Sequence, residues 1–121
     1  MERRESPQRY LVEASAVLRV NGKPGPFLVT ILDVSANGVR LSSPTPFAPE
    51  TRVTITCRGA NMTGEIRYAR NVEDYEFHVG VRVDEASAGA MLENGTMDLT
   101  LLFPKSLANA KASKLPPWTL V

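Results

Sequence analysis

The residues best equipped for chemistry are an arginine cluster near the start of the chain, Arg3, Arg4 and Arg9, and the hexapeptide Asp33-Val34-Ser35-Ala36-Asn37-Gly38. A guanidinium fork matches the paired acceptors O6 and N7 of guanine, and each such bidentate contact contributes about 1–3 kcal/mol of discrimination. A carboxylate can accept from guanine N1–H and the 2-amino group. A hydroxyl is small and bifunctional, and a glycine lets a ligand come close to the backbone. Arginines beside an Asp-x-Ser-x-x-Gly turn would thus supply both halves of a site for an anionic purine ligand. On local chemistry alone the same hexapeptide is also an ordinary strand-to-strand turn, with Asp33 and Ser35 bonding to their own backbone and Gly38 adopting an angle other residues avoid.

Composition limits the alternatives. With 121 residues, 43% of them hydrophobic, the chain suits one globular domain with a sizeable core. Fourteen Lys and Arg against thirteen Asp and Glu leave a net charge of +1, so an anion site must come from local clustering and not from a global field. Cys57 is the only cysteine and His78 the only histidine, which excludes an intrachain disulfide and leaves too few soft ligands for an ordinary zinc site. The pattern contains no Ser–His–acid order and no phosphate-binding glycine loop, so an enzyme is not expected. Single-stranded nucleic-acid barrels generally carry a basic groove with interleaved aromatics, and four Phe, three Tyr and one Trp at near-neutral charge do not point to one. No apolar run approaches the ~20 residues that span a bilayer, and the expected location is cytoplasmic, without membrane insertion.

The elements that would position these residues are strands. Val12–Val20 alternates, Asn21–Pro26 is a loop, and Phe27–Leu32 reads as a second strand leading into the hexapeptide. Val39–Ser42 begins a third, and Pro44, Pro46 and Pro49 mark a connector. In Thr51–Arg58, Val53, Ile55 and Cys57 share a face, and Gly59-Ala60-Asn61 reads as a hairpin turn. Then Met62, Gly64, Ile66 and Tyr68 face one way, and Phe77, Val79, Val81 and Val83 form the last inward row. Short strands separated by turns, with no good helix before residue 84, predict a small antiparallel barrel or sandwich. Glu85–Glu93 has the composition of a short helix weakened by Gly89. The segment after Pro104 carries Lys105, Lys111 and Lys114 with no acid, and reads as a frayed terminus or as a docking segment anchored by Leu107, Leu115 and Trp118.

From Glu2 to Asp84 the sequence resembles the PilZ domain family, receptors for the bacterial second messenger cyclic di-GMP. The resemblance rests on the Glu-Arg-Arg opening, Arg9-Tyr10 before the first strand, the complete Asp33-x-Ser35-x-x-Gly38 motif, the proline-rich connector and the last strand His78–Val83. It implies a six-stranded β-barrel, usually followed by a helix; together with the reading of the later residues, the expected division is an arginine-bearing arm over 1–11, a barrel over 12–84, a helix or strand packed on it over 85–103, and a tail over 104–121. It implies cyclic di-GMP as the ligand, no other cofactor, and a protein effector as a partner. It assigns ligand contacts to Arg4, Arg9, Asp33, Ser35 and Gly38, with Arg3, Gln8 and Arg40 as further candidates. The arm departs from the family's Arg-x-x-x-Arg pattern, because four residues separate Arg4 from Arg9. At strict spacing Arg4 pairs with Gln8; with a one-residue bulge at Pro7, Arg4 and Arg9 both reach the ligand, which is the reading preferred here. The alternative is an interaction adaptor of the same fold that no longer binds the nucleotide. Arg82 and His78 on the last strand read as solvated surface that could border the ligand, and Tyr10 reads as the start of the core or a ring that stacks on guanine.

Overall fold

Runs of alternating residues fold as six strands: β1 (Tyr10–Val20), β2 (Pro26–Val34), β3 (Gly38–Ser43), β4 (Arg52–Cys57), β5 (Ala60–Glu73) and β6 (Glu76–Glu85). They belong to a computed structural model that describes residues 9–103. Arg3, Arg4, Gln8 and the segment 104–121 therefore lie outside the described residues. All strand pairs are antiparallel, and the order β1-β2-β3-β6-β5-β4 closes because β1 also pairs with β4. The fold is the expected six-stranded antiparallel β-barrel, and closure leaves no open sheet edge.

The barrel closes around its inward rows. Leu18, Ile31, Leu41, Ile55, Met62 and Ile66 are fully buried, and each contributes roughly 1.5–3 kcal/mol by leaving water. Cys57 belongs to this cluster; burial pushes its thiol up from the ordinary range, as expected for a packed, inert sulfhydryl.

Several boundaries differ from the sequence reading. Tyr10 and Leu11, grouped with the arm from sequence, lie in β1, and β2 continues through Asp33 and Val34. The first β4–β5 loop residue is Arg58, not Gly59. Cys57 faces Ala60 across the hairpin, and Arg58 and Gly59 both take positive φ, 55° and 80°, as a two-residue loop matching strand twist requires. The Arg58 guanidinium then sits 5.1 Å from the Phe103 ring centroid, a cation–π contact.

No helix forms over Glu85–Glu93. β6 runs through Glu85, and the chain then makes two short 3₁₀ turns, Ala88–Ala90 and Leu99–Leu102. Helical periodicity is too brief here and is interrupted by Gly89. What the segment offers instead is isolated apolar groups, and Ala90, Leu99 and Phe103 are buried with the barrel core. The Asp98 carboxylate accepts from the Thr100 backbone and hydroxyl at 3.1 and 2.6 Å, fixing the second turn. The Leu99 amide donates to the Ala36 carbonyl at 2.7 Å, tying this plug to the hexapeptide. Among the described residues no helix is long and apolar enough to cross a membrane.

Two local irregularities decide which side chains face outward. At Leu32 the register of β2 shifts against both neighbours, so Ile31 and Val34 point inward while Asp33 points out beside Leu11 and Arg40. At Arg67 the register of β5 shifts against β6, so Ile66 pairs with the inward Val81 but Tyr68 pairs with the outward Gly80. A one-residue slip in a period-two structure moves the next side chain to the other face. The expected common face for Ile66 and Tyr68 is corrected accordingly: Ile66 is in the core and Tyr68 is on the outer wall.

Candidate functional site

The register places one outward row across five strands: Leu11, Asp33, Arg40, Gly80 and Tyr68 are successive cross-strand partners. Arg9 immediately precedes β1, whose Tyr10 pairs with Val34, so its side chain starts opposite Ser35. The barrel thus brings the described end of the arm to the hexapeptide.

Asp33 is the hub. Its carboxylate is buried beneath two guanidinium groups that it holds from either side. Arg9 donates from Nε and Nη2 to Oδ1, both at 2.8 Å. Arg40 donates from Nε at 2.8 Å and from Nη2 at 2.6 Å to Oδ2. Such charge-assisted pairs fix geometry as well as energy. Both oxygens are spent on arginines, so in this arrangement Asp33 aims two guanidiniums and does not itself present an acceptor to a guanine edge. Arg40, a further candidate from the sequence, is half-buried and locked in place.

The rest of the hexapeptide is a tied turn. The Ser35 amide donates to the Gly38 carbonyl at 2.9 Å, and the Val83 amide donates to the Asn37 carbonyl at 2.8 Å. Arg9 Nη1 donates to the Ser35 hydroxyl at 3.4 Å. Gly38 does not have the left-handed backbone expected from sequence, since it is absent from the positive-φ positions among the described residues. A Cβ there would make ordinary contacts, 3.4 Å from the Val81 carbonyl oxygen and 3.5 Å from Ser35 Oγ. What glycine provides at this outward position, paired with Arg82, is an open floor.

Between this turn and β5 lies a cleft of about 420 Å³, whose lining includes Arg9, Ser35, Gly38, Arg40, Tyr68 and Arg82. Arg67 lies on its rim, 3.6 Å from Glu65, and Arg82 makes no ion pair among the described residues. The cleft is cationic on a nearly neutral protein. Arg9, Ser35, Gly38 and Arg40 line it with Asp33 buried behind the two arginines, while Arg3, Arg4 and Gln8 lie outside the described residues. His78 stands apart, its Nε2 3.6 Å from Glu76.

Sequence reasoning missed Arg67, Tyr68 and Gly80 as parts of this wall. The one visible signal was a glycine at an outward position of the valine-rich β6. A family model described as PilZ domain matches residues 2–96. The chain belongs to the PilZ domain family. This PilZ domain is thereby placed among regulatory binding domains that are generally cyclic di-GMP receptors, in a family that is not catalytic. No curated protein matches the chain.

Proposed function

We propose that this PilZ domain binds cyclic di-GMP in the cationic cleft, with Arg9 and Arg40 meeting phosphate or guanine and Ser35 and Gly38 forming the floor. The observation that carries this reading is the Arg9–Asp33–Arg40 arrangement: one buried carboxylate aims two guanidiniums along the same wall. Preorganised donors bind without first losing rotamer freedom, which raises affinity for a given set of contacts. Arg4, with Arg3 or Gln8, completes the site from the arm. Ligand capture then orders the arm against the Asp33–Gly38 turn, and a protein effector reads the new surface; ligand and effector affinities are linked reciprocally.

Calorimetric titration of the full chain with cyclic di-GMP tests the reading. Saturable heat that is lost in Arg9→Ala supports it; a folded protein that gives no heat at high micromolar ligand overturns it. A second reading, an interaction adaptor without the nucleotide, is favoured by the four-residue separation of Arg4 and Arg9. Under that reading Arg9→Ala leaves effector binding untouched.

A further inference from the structure

We infer that Tyr68 is the base-stacking platform of the cleft, an assignment that rests on the nucleotide reading above. The register shift at Arg67 carries Tyr68 out of the core, and its cross-strand partner Gly80 leaves a bare stretch of β6 backbone for the ring. A Cβ built on Gly80 would overlap Cε2 of Tyr68, with Cζ at 2.6 Å and Cδ2 at 2.8 Å. One side of the ring therefore rests on the Gly80 Cα, and no other residue type fits beneath it without moving the ring. The tyrosine remains 43% exposed and lines the cleft with Arg40 and Arg82.

Two strand spacings, about 10 Å, separate the backbones of Arg40 and Tyr68, and Gly80 adds no side chain to that interval. Because the ring lies over Gly80, it occupies that interval, and its exposed side forms an aromatic surface next to the immobilised Arg40 guanidinium. A phosphate alone needs only the arginines. A flat purine attached to a phosphate uses both, because every base has a π-face that an aromatic side chain can cover. The competing role for the ring is structural, covering the backbone at Gly80 and supporting the sheet. It makes the opposite prediction about ligand.

The test uses the full chain with cyclic di-GMP as probe. Stacking predicts that Tyr68→Leu weakens binding about 5- to 150-fold, while Tyr68→Phe, which keeps the ring, stays within about twofold of the parent. In the unmodified protein, the Tyr68 ring protons shift on titration and show nuclear Overhauser contacts to guanine H8. Unchanged affinity in Tyr68→Leu, or no ring-proton response in the parent, overturns the assignment while retained sensitivity to Arg9→Ala leaves the nucleotide reading standing. Absence of binding by the parent overturns both. If Tyr68→Leu does not fold, the parent spectrum and Tyr68→Phe decide the question.

Discussion

Two clefts of similar size lie on the outer wall of the barrel, about 420 Å³ beside the Asp33–Gly38 turn and about 480 Å³ beside the β5–β6 hairpin. The first gathers Arg9, Arg40, Arg67 and Arg82. The second is lined by Asp74 and Glu76 with the hydroxyls of Ser15, Thr30 and Ser42, beside the exposed Leu28 and Tyr75. Volume does not separate them; the sign of charge does, and an anionic dinucleotide is drawn to one and repelled by the other. They differ equally in how their charges are held. Asp33 and Arg40 project from paired strands, and Asp33 makes two short contacts with Arg40 and two with Arg9. Asp74 and Tyr75 sit in the loop between β5 and β6, and Glu76, the first residue of β6, accepts one hydroxyl hydrogen bond from Ser42 at 3.1 Å and lies 3.6 Å from His78 Nε2. Strand-borne, mutually braced groups make the better receptor because less freedom is lost on binding.

The severest way to break the comparison is to remove the frame that both clefts share. Leu41 is fully buried, and Leu41→Ala is expected to cost about 2–5 kcal/mol through lost burial and a residual cavity. Urea unfolding measures this, and a change below 1 kcal/mol would mean that the core is not packed as described. Next, Asp33→Ala strips the first cleft of its hub. The expected loss is about 1–3 kcal/mol of stability, together with weaker nucleotide binding although no ligand contact is removed. If affinity is unaffected, Asp33 does not orient the arginines.

Arg9→Ala should separate binding from folding. Its side chain is 45% exposed and the buried Asp33 keeps Arg40, so the fold is retained at a cost of about 1–3 kcal/mol, while affinity falls by roughly 5- to 150-fold for one lost bidentate contact. Calorimetry with a parallel melting curve checks both halves. Rising salt should weaken binding of an anion at this cleft, because partly exposed charges are screened within about 10 Å at 0.1 M.

The mildest expectations concern charges away from the first cleft. The Arg52 hydrogen bond holds Asp84 below the usual carboxylate range. A carboxylate with a depressed folded-state pKa stabilises above its unfolded pKa, and that contribution disappears as pH falls through the folded value. The pair is exposed, so the effect is under about 1 kcal/mol. Melting temperatures of Asp84→Asn and the parent should converge between neutral and strongly acidic pH. Last, Asp74→Asn with Glu76→Gln should leave cyclic di-GMP affinity within about twofold and stability within about 0.5 kcal/mol. A large loss of affinity would show that the second cleft, not the first, holds the ligand.

Much of the fold was legible because alternation is a strong signal wherever one face of a strand is buried. Val53, Ile55 and Cys57 face inward as their spacing requires, and so do Val79, Val81 and Val83. The plug formed by Ala90, Leu99 and Phe103 was not legible, since isolated apolar residues in short turns carry no periodicity. Of the site, the composition was readable: arginines, an aspartate, a serine and a glycine at fixed offsets. The office of each was not. Asp33 reads locally as a turn residue and becomes a strand residue whose oxygens are both taken by guanidiniums.

The sequence by itself determined six strands, an antiparallel class, an apolar core and the presence of a cationic arm with its matching turn, because these follow from side-chain type and period along one strand. Only the tertiary structure decided which residues meet across strands. The slips at Leu32 and Arg67 turn Asp33 and Tyr68 outward, and closure of the barrel sets Arg40 and Tyr68 on either side of Gly80. Each of these outcomes depends on register between segments distant in the chain, which is a balance of many inter-strand contacts and leaves no mark at any single position.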